Sequence, residues 1–91
     1  MSHDDHEVLR RVQAVLGEQL GLESGSQVPP DADFYAELGG DSLDLAEITM
    51  SLEEEFDIVV PDKAVPAPVT ARKMAAMAAE CLAARASARV G

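Results

Sequence analysis

Leu38-Gly39-Gly40-Asp41-Ser42-Leu43-Asp44-Leu45-Ala46-Glu47-Ile48-Thr49-Met50-Ser51-Leu52-Glu53-Glu54-Glu55-Phe56 carries a glycine turn straight into a patterned amphipathic run. Leu45, Ile48, Thr49, Leu52 and Phe56 recur at helical spacing and predict a helix from about Ser42 to Phe56, with those five on its buried stripe. Leu43, Glu47, Met50 and Glu54 then share the opposite face, so Leu43 and Met50 are expected to be exposed apolar residues flanked by carboxylates. Two such residues in line with a serine read as a docking ridge. Ser42 itself falls where the loop becomes helix. A hydroxyl there is exposed, beside free N–H groups and a positive dipole end, a setting that suits a phosphate.

Working outward, Val8, Leu9, Val12, Val15, Leu16 and Leu20 predict a first helix from about Asp5 to Leu20, stopped at Gly21. Residues 22–41 read as a long loop, with Ser24-Gly25-Ser26, Pro29-Pro30 and Gly39-Gly40 as its punctuation. Within it, Phe34 and Leu38, four apart after Asp33, suggest one helical turn pinned to the core. Ile58-Val59-Val60 has no strand partner elsewhere and reads as a buried loop ending at Pro61. Pro61, Pro66 and Pro68 limit any helix in residues 61–70 to about one turn. Thr70 caps a last helix in which Met74, Met77, Ala78, Cys81 and Leu82 line one face. The expected architecture is all-α and a single domain over 1–91, with a core at about 5–82 and a frayed tail at 83–91.

At 91 residues, 47% of them hydrophobic, the chain is sized for one small domain with little room for an enclosed active site. Its formal charge is −10. Every acid between 31 and 62 is unmatched by a Lys or Arg in that stretch, while the remainder is near neutral. That distribution repels nucleic acid and anionic membranes and steers partners bearing basic patches. Cys81 stands alone, which excludes an intramolecular disulfide and points to a reducing, cytoplasmic setting. His3 and His6 lack a third ligand and read as part of a frayed terminus, so no metal site is expected. The polar N-terminus is unlike a signal peptide, and no apolar run is long enough for a bilayer span.

Three readings of Gly40-Asp41-Ser42-Leu43 compete. In the first, Asp41 or Ser42 is a helix N-cap. In the second, Ser42 is a nucleophile, since Gly-Asp-Ser-Leu resembles the serine motif of one esterase and lipase family. That reading needs a base held by a third group, and an α/β scaffold for which the chain is too short. In the third, Ser42 is the acceptor for a carrier arm, and a separate transferase supplies the base.

The third reading is joined by a resemblance. Leu38-Gly-Gly-Asp-Ser-Leu-Asp44, Leu52-Glu-Glu-Glu-Phe-Asp57 and Pro61-Asp62, with Gly17-Glu-Gln-Leu-Gly21 upstream, are similar to acyl carrier proteins over about residues 5–82. The resemblance implies a four-helix bundle of three long helices and a short third one, with a long loop between helices one and two. It implies 4′-phosphopantetheine from coenzyme A on Ser42, holding acyl groups as thioesters, with no catalytic residue in the chain. It also implies docking of partners on Asp41, Leu43, Asp44, Glu47, Met50 and Glu54. Those partners would be a phosphopantetheinyl transferase and acyl-loading, ketosynthase or other acyl-transfer enzymes with basic patches, acting on a monomer.

The stretch Lys63-Ala64-Val65-Pro66-Ala67-Pro68 departs from housekeeping fatty-acid carriers, whose short helix is rich in Glu. Gly-Gly-Asp-Ser-Leu is also similar to peptidyl carriers. The expected pathway is polyketide or related natural-product assembly, with fatty-acid synthesis the neighbouring choice. A free-standing aminoacyl or peptidyl carrier, and an unmodified acidic helical adaptor, are the alternatives.

Overall fold

The computed structural model describes residues 5–22, 28–60, 65 and 68–90. Three helices form: α1 (Asp5–Gln19), α2 (Ser42–Phe56) and α3 (Ala71–Val90). The described residues contain no strand.

This corrects the expected four-helix bundle, because the described residues hold three helices and no fourth. In the stretch 61–70 the described positions, Val65 and 68–70, are not helical. Pro68 has no N–H to give and a ring that crowds the preceding turn. The remaining positions of that stretch, the terminus with His3, and Ser24-Gly25-Ser26 lie outside the described residues. At the other end α3 continues past Leu82 to Val90, through a stretch expected to trail off. Ala83, Ala84, Arg85, Ala86, Ala88 and Arg89 are all strong helix formers.

Each helix stops or starts for a local reason. Gly21 adopts φ 74°, and Leu22 N–H donates to Gly17 O at 2.8 Å, closing α1 with a left-handed C-terminal turn. Asp57 closes α2 the same way at φ 55°, its N–H and that of Ile58 both reaching Glu53 O. Thr70 Oγ1 accepts from Lys73 N–H at 3.1 Å and caps α3.

The core is aliphatic apart from two rings. Val8, Val12 and Leu16 of α1 meet Ile48, Leu52 and Phe56 of α2 and Met74, Ala78 and Leu82 of α3. α1 packs most extensively on α3, less on α2, and α2 touches α3 least. Leu45 and Thr49 are half-buried at the edge of the stripe rather than within it. Thr49 Oγ1 donates to Leu45 O at 2.9 Å, so its hydroxyl is satisfied.

The long loop adds Val28, Ala32 and Phe34 to the core. Gln13 Nε2 donates to Val28 O at 2.6 Å, Phe34 N–H to Val69 O at 2.7 Å and Arg72 N–H to Pro30 O at 3.0 Å, so α1 and the start of α3 hold it. The expected turn after Asp33 is present. Asp33 Oδ1 accepts from Tyr35 and Ala36 N–H, and Glu37 Oε2 accepts from Asp33 N–H. In the segment after α2, Ile58 is buried and Val60 half-buried, whereas Val59 is 84% exposed. Only part of the expected buried loop is therefore buried.

Candidate functional site

The turn that leads into α2 is set from below by a ring. Phe34 is fully buried, and Gly40 N–H donates to Phe34 O at 3.0 Å. A Cβ at position 40 would lie 2.2 Å from Phe34 Cζ. Glycine at 40 therefore lets the backbone rest on the ring. Gly39 supplies the left-handed residue, at φ 75°, that swings the chain up to the helix.

Asp41 is the N-cap of α2, and it settles the choice between the two candidate caps. Its Oδ1 accepts from Asp44 N–H at 2.8 Å, and Asp44 Oδ2 accepts from Asp41 N–H at 3.2 Å. This reciprocal pair is a capping box with Asp in place of the usual Glu. Ser42 is the first helical residue. Its side chain is exposed and has no hydrogen-bond partner among the described residues. Two of the four orphan N–H groups of the helix end are used by the box, which leaves those of Ser42 and Leu43 unclaimed.

The electrostatics at this end are mixed. The dipole favours an anion. Two carboxylates already sit on it, however, so the turn is a poor trap for a free phosphate. It suits a group held by a covalent bond better. The hydroxyl is accessible and uncommitted, two glycines precede it, and exposed Leu43 follows. A phosphodiester-linked arm fits there without displacing any contact the fold depends on.

The face opposite the buried stripe is largely as expected. Leu43 is 68% exposed and Met50 58% exposed, with Glu54 exposed beyond them. Asp41 is exposed and Asp44 half-buried. Glu47 departs from expectation. It is half-buried, and Gln19 Nε2 of α1 donates to its Oε1. A single-helix wheel has no means of seeing this, because the last residue of a neighbouring helix reaches over the face.

Two further acids of α2 are also engaged. Glu53 Oε2 accepts from Val60 N–H at 2.9 Å. Glu55 pairs with Arg11, which also donates to Glu55 O at 2.9 Å and lies 4.5 Å over the Phe56 ring. Glu54 has no hydrogen-bond or ion-pair partner among the described residues. No group of three or more His, Cys, Asp or Glu side chains among the described residues could hold a metal ion. Cys81 is half-buried, and its thiol is pushed up from its ordinary pKa first by burial, then by Glu80 and Glu53.

A protein-family model described as a phosphopantetheine attachment site matches residues 10–78. The chain belongs to that family. Curated relatives of this phosphopantetheine-attachment chain are named acyl carrier protein. That of Cyanidioschyzon merolae (strain NIES-3377 / 10D) is 48% identical over 60 residues, which is 66% of this chain and 65% of the relative. That of Prochlorococcus marinus (strain MIT 9515) is 50% identical over 58 residues, 64% of this chain and 71% of the relative. That of Guillardia theta is 46% identical over 61 residues, 67% of this chain and 74% of the relative. The similarity to the first of these spans just under two thirds of that protein's length. Family membership implies a covalently attached 4′-phosphopantetheine. No helix among the described residues is long and apolar enough to cross a membrane.

Proposed function

We propose that the chain is an acyl carrier protein and that Ser42 Oγ is the atom to which the phosphopantetheine arm is esterified. The observation that carries this reading is the division of labour at the start of α2. Asp41 and Asp44 cap the helix, so the Ser42 hydroxyl is exposed and free of any structural duty. The family match supports it by spanning this turn.

When attached, the arm supplies a thiol on which acyl groups are carried as thioesters. The chain's own residues do the rest. Gly39 and Gly40 place Ser42 at a projecting corner, and Asp41 keeps the helix end formed beneath it. Leu43, Glu47, Met50 and Glu54 offer an apolar and acidic face in line with the serine. Enzymes bearing basic, partly apolar patches dock there, a phosphopantetheinyl transferase first and acyl-transfer enzymes such as a ketosynthase afterwards. During loading Ser42 Oγ bonds to the pantetheine-side phosphorus of coenzyme A, the pyrophosphate P–O bond breaks to release adenosine 3′,5′-bisphosphate, and the serine proton goes to a base of the transferase. The acyl groups handled belong to polyketide, related natural-product or fatty-acid assembly, in keeping with relatives named acyl carrier protein rather than peptidyl carrier.

Incubation with coenzyme A and a phosphopantetheinyl transferase, followed by intact-mass measurement, tests the reading. The expected result is one added phosphopantetheine, abolished by Ser42→Ala. An unmodified chain, or transfer to another serine in the Ala variant, would overturn it in favour of an acidic adaptor or of a different acceptor.

A further inference from the structure

Two polar ties join α1 to the outer side of α2. Near the C-terminal end of α2, Arg11 pairs with Glu55 at 2.9 Å. Nearer Ser42, Gln19 Nε2 donates to Glu47 Oε1. The Arg11–Gln19 spacing on α1 equals the Glu55–Glu47 spacing on α2, about two turns or ~12 Å, so antiparallel helices make both ties at once. Between them lies an open cleft lined by Ala14, Val15, Glu18, Ser51 and Glu54.

The two ties differ in what they do to charge. Arg11 holds Glu55 and cancels it. Gln19 holds Glu47 and leaves its full negative charge in place. A carboxylate can only accept, so the amide must present its NH2 to Glu47, and the second carboxylate oxygen remains available. A long side chain otherwise pays rotamer entropy when a partner's cation fixes it. Gln19 has made that payment before docking.

We propose that Gln19 is a positioning residue that presets the Glu47 carboxylate for a cationic group of the enzyme docking on α2. The proposal rests on the reading that this face delivers Ser42 to its partners, and extends the recognition surface onto the end of α1. The neutral donor is essential to it. Lysine at 19 would hold Glu47 equally well, but would cancel the charge the partner reads.

The test is steady-state loading by a phosphopantetheinyl transferase with coenzyme A, with the apo chain as varied substrate, beside thermal melts of each variant. Gln19→Ala should raise KM for the apo chain by about two- to five-fold with kcat unchanged. Gln19→Lys should raise KM by at least as much while leaving the melting temperature equal or higher, and should flatten the salt dependence of kcat/KM. Gln19→Ala should have no further effect in a Glu47→Gln background, but should add fully to Glu54→Gln. A purely structural Gln19 would instead show melting temperature and KM moving together, with Gln19→Lys loading as wild type, and either result overturns the proposal. If wild type loads on Ser42 and every Gln19 variant keeps its KM, the proposal alone fails. If wild type does not load on Ser42, the attachment reading fails and takes this one with it.

Discussion

Removing the Asp41 side chain should weaken the fold, whereas removing the Ser42 hydroxyl should not. Asp41→Ala deletes the acceptor for Asp44 N–H, a 2.8 Å bond. It leaves Asp44 able to reach back to the N–H of residue 41. One half of the capping box is lost at an exposed helix end, so the expected cost is about 1 kcal/mol within the usual 0.5–2 kcal/mol for a lost N-cap. In a domain of this size that lowers the melting temperature by roughly 4–8 °C. Ser42→Ala removes an oxygen with no partner among the described residues, and alanine is the better helix former. Its effect should stay within about 0.5 kcal/mol. Asp41→Asn keeps a side-chain acceptor and should lie close to wild type. Urea melts followed by far-UV circular dichroism on the three unmodified variants check this. Should Ser42→Ala cost as much as Asp41→Ala, the serine is a cap after all. The argument that its hydroxyl is reserved for attachment would then fail.

Three further outcomes follow from the packing and charges. Leu52 is buried at the centre of the three helices, and Leu52→Ala should cost about 2–5 kcal/mol in denaturant melts, a large share of the total stability of so small a domain. Arg11→Ala should cost about 1 kcal/mol in the same melts, since it loses the Glu55 pair and the contact over Phe56. Arg10→Ala, on the exposed side of the same helix, should be near neutral. The hydrogen bond from Arg72 holds the Asp31 carboxyl below its ordinary pKa. The folded value therefore lies under the unfolded one, about 3.9. The stabilisation from this pair is present above that pH and is lost as pH falls through the folded value. Asp31→Asn should thus lower stability at neutral pH and converge with wild type in acid, as read from melts across that range.

Periodicity and caps carried most of the fold. The helix expected from Ser42 to Phe56 has those bounds, and the first helix ends one residue short of the expected Leu20. Both have strong apolar stripes and unambiguous stops. What failed to show lies between helices or in their neighbours. Val28 and Ala32 are isolated apolar residues in a segment with no period, so nothing marked them as core. The short helix at 61–70 was carried by family likeness against three prolines, and the described residues there are not helical. Arg11 flanks the Val8-Val12-Val15 stripe, which was a usable sign that its aliphatic stem would lie along the core edge and its guanidinium find a ring. Gln19 gave no such sign, because its role depends on where Glu47 of another helix ends up.

Charge along the sequence overstated how much negative charge is free to meet a partner. Between 31 and 62 there are eleven acids and no base, yet basic residues from the flanking helices fold back onto that stretch. Arg72 reaches Asp31, Arg11 reaches Glu55 and Arg85 reaches Asp57. None of these pairs lies at the serine; Glu55 and Asp57 are at the far end of α2. Carboxylates that accept from backbone N–H groups are not offset by a base, but their direction is fixed by the fold. Asp41, Asp44 and Glu53 are of this kind, and Glu47 is held by a neutral amide. The bases therefore cancel charge away from Ser42, and around Ser42 the chain orients charge without cancelling it. Asp41, Asp44 and Glu47, towards the Ser42 end of α2, have no base paired with them among the described residues, whereas Arg11 and Arg85 offset Glu55 and Asp57 at the other end, and Leu43 and Met50 are exposed on the outer face. If Ser42 carries the arm as proposed, carboxylates that no base offsets beside the serine would favour encounter of a basic partner at that end of the helix, where a tethered substrate is needed.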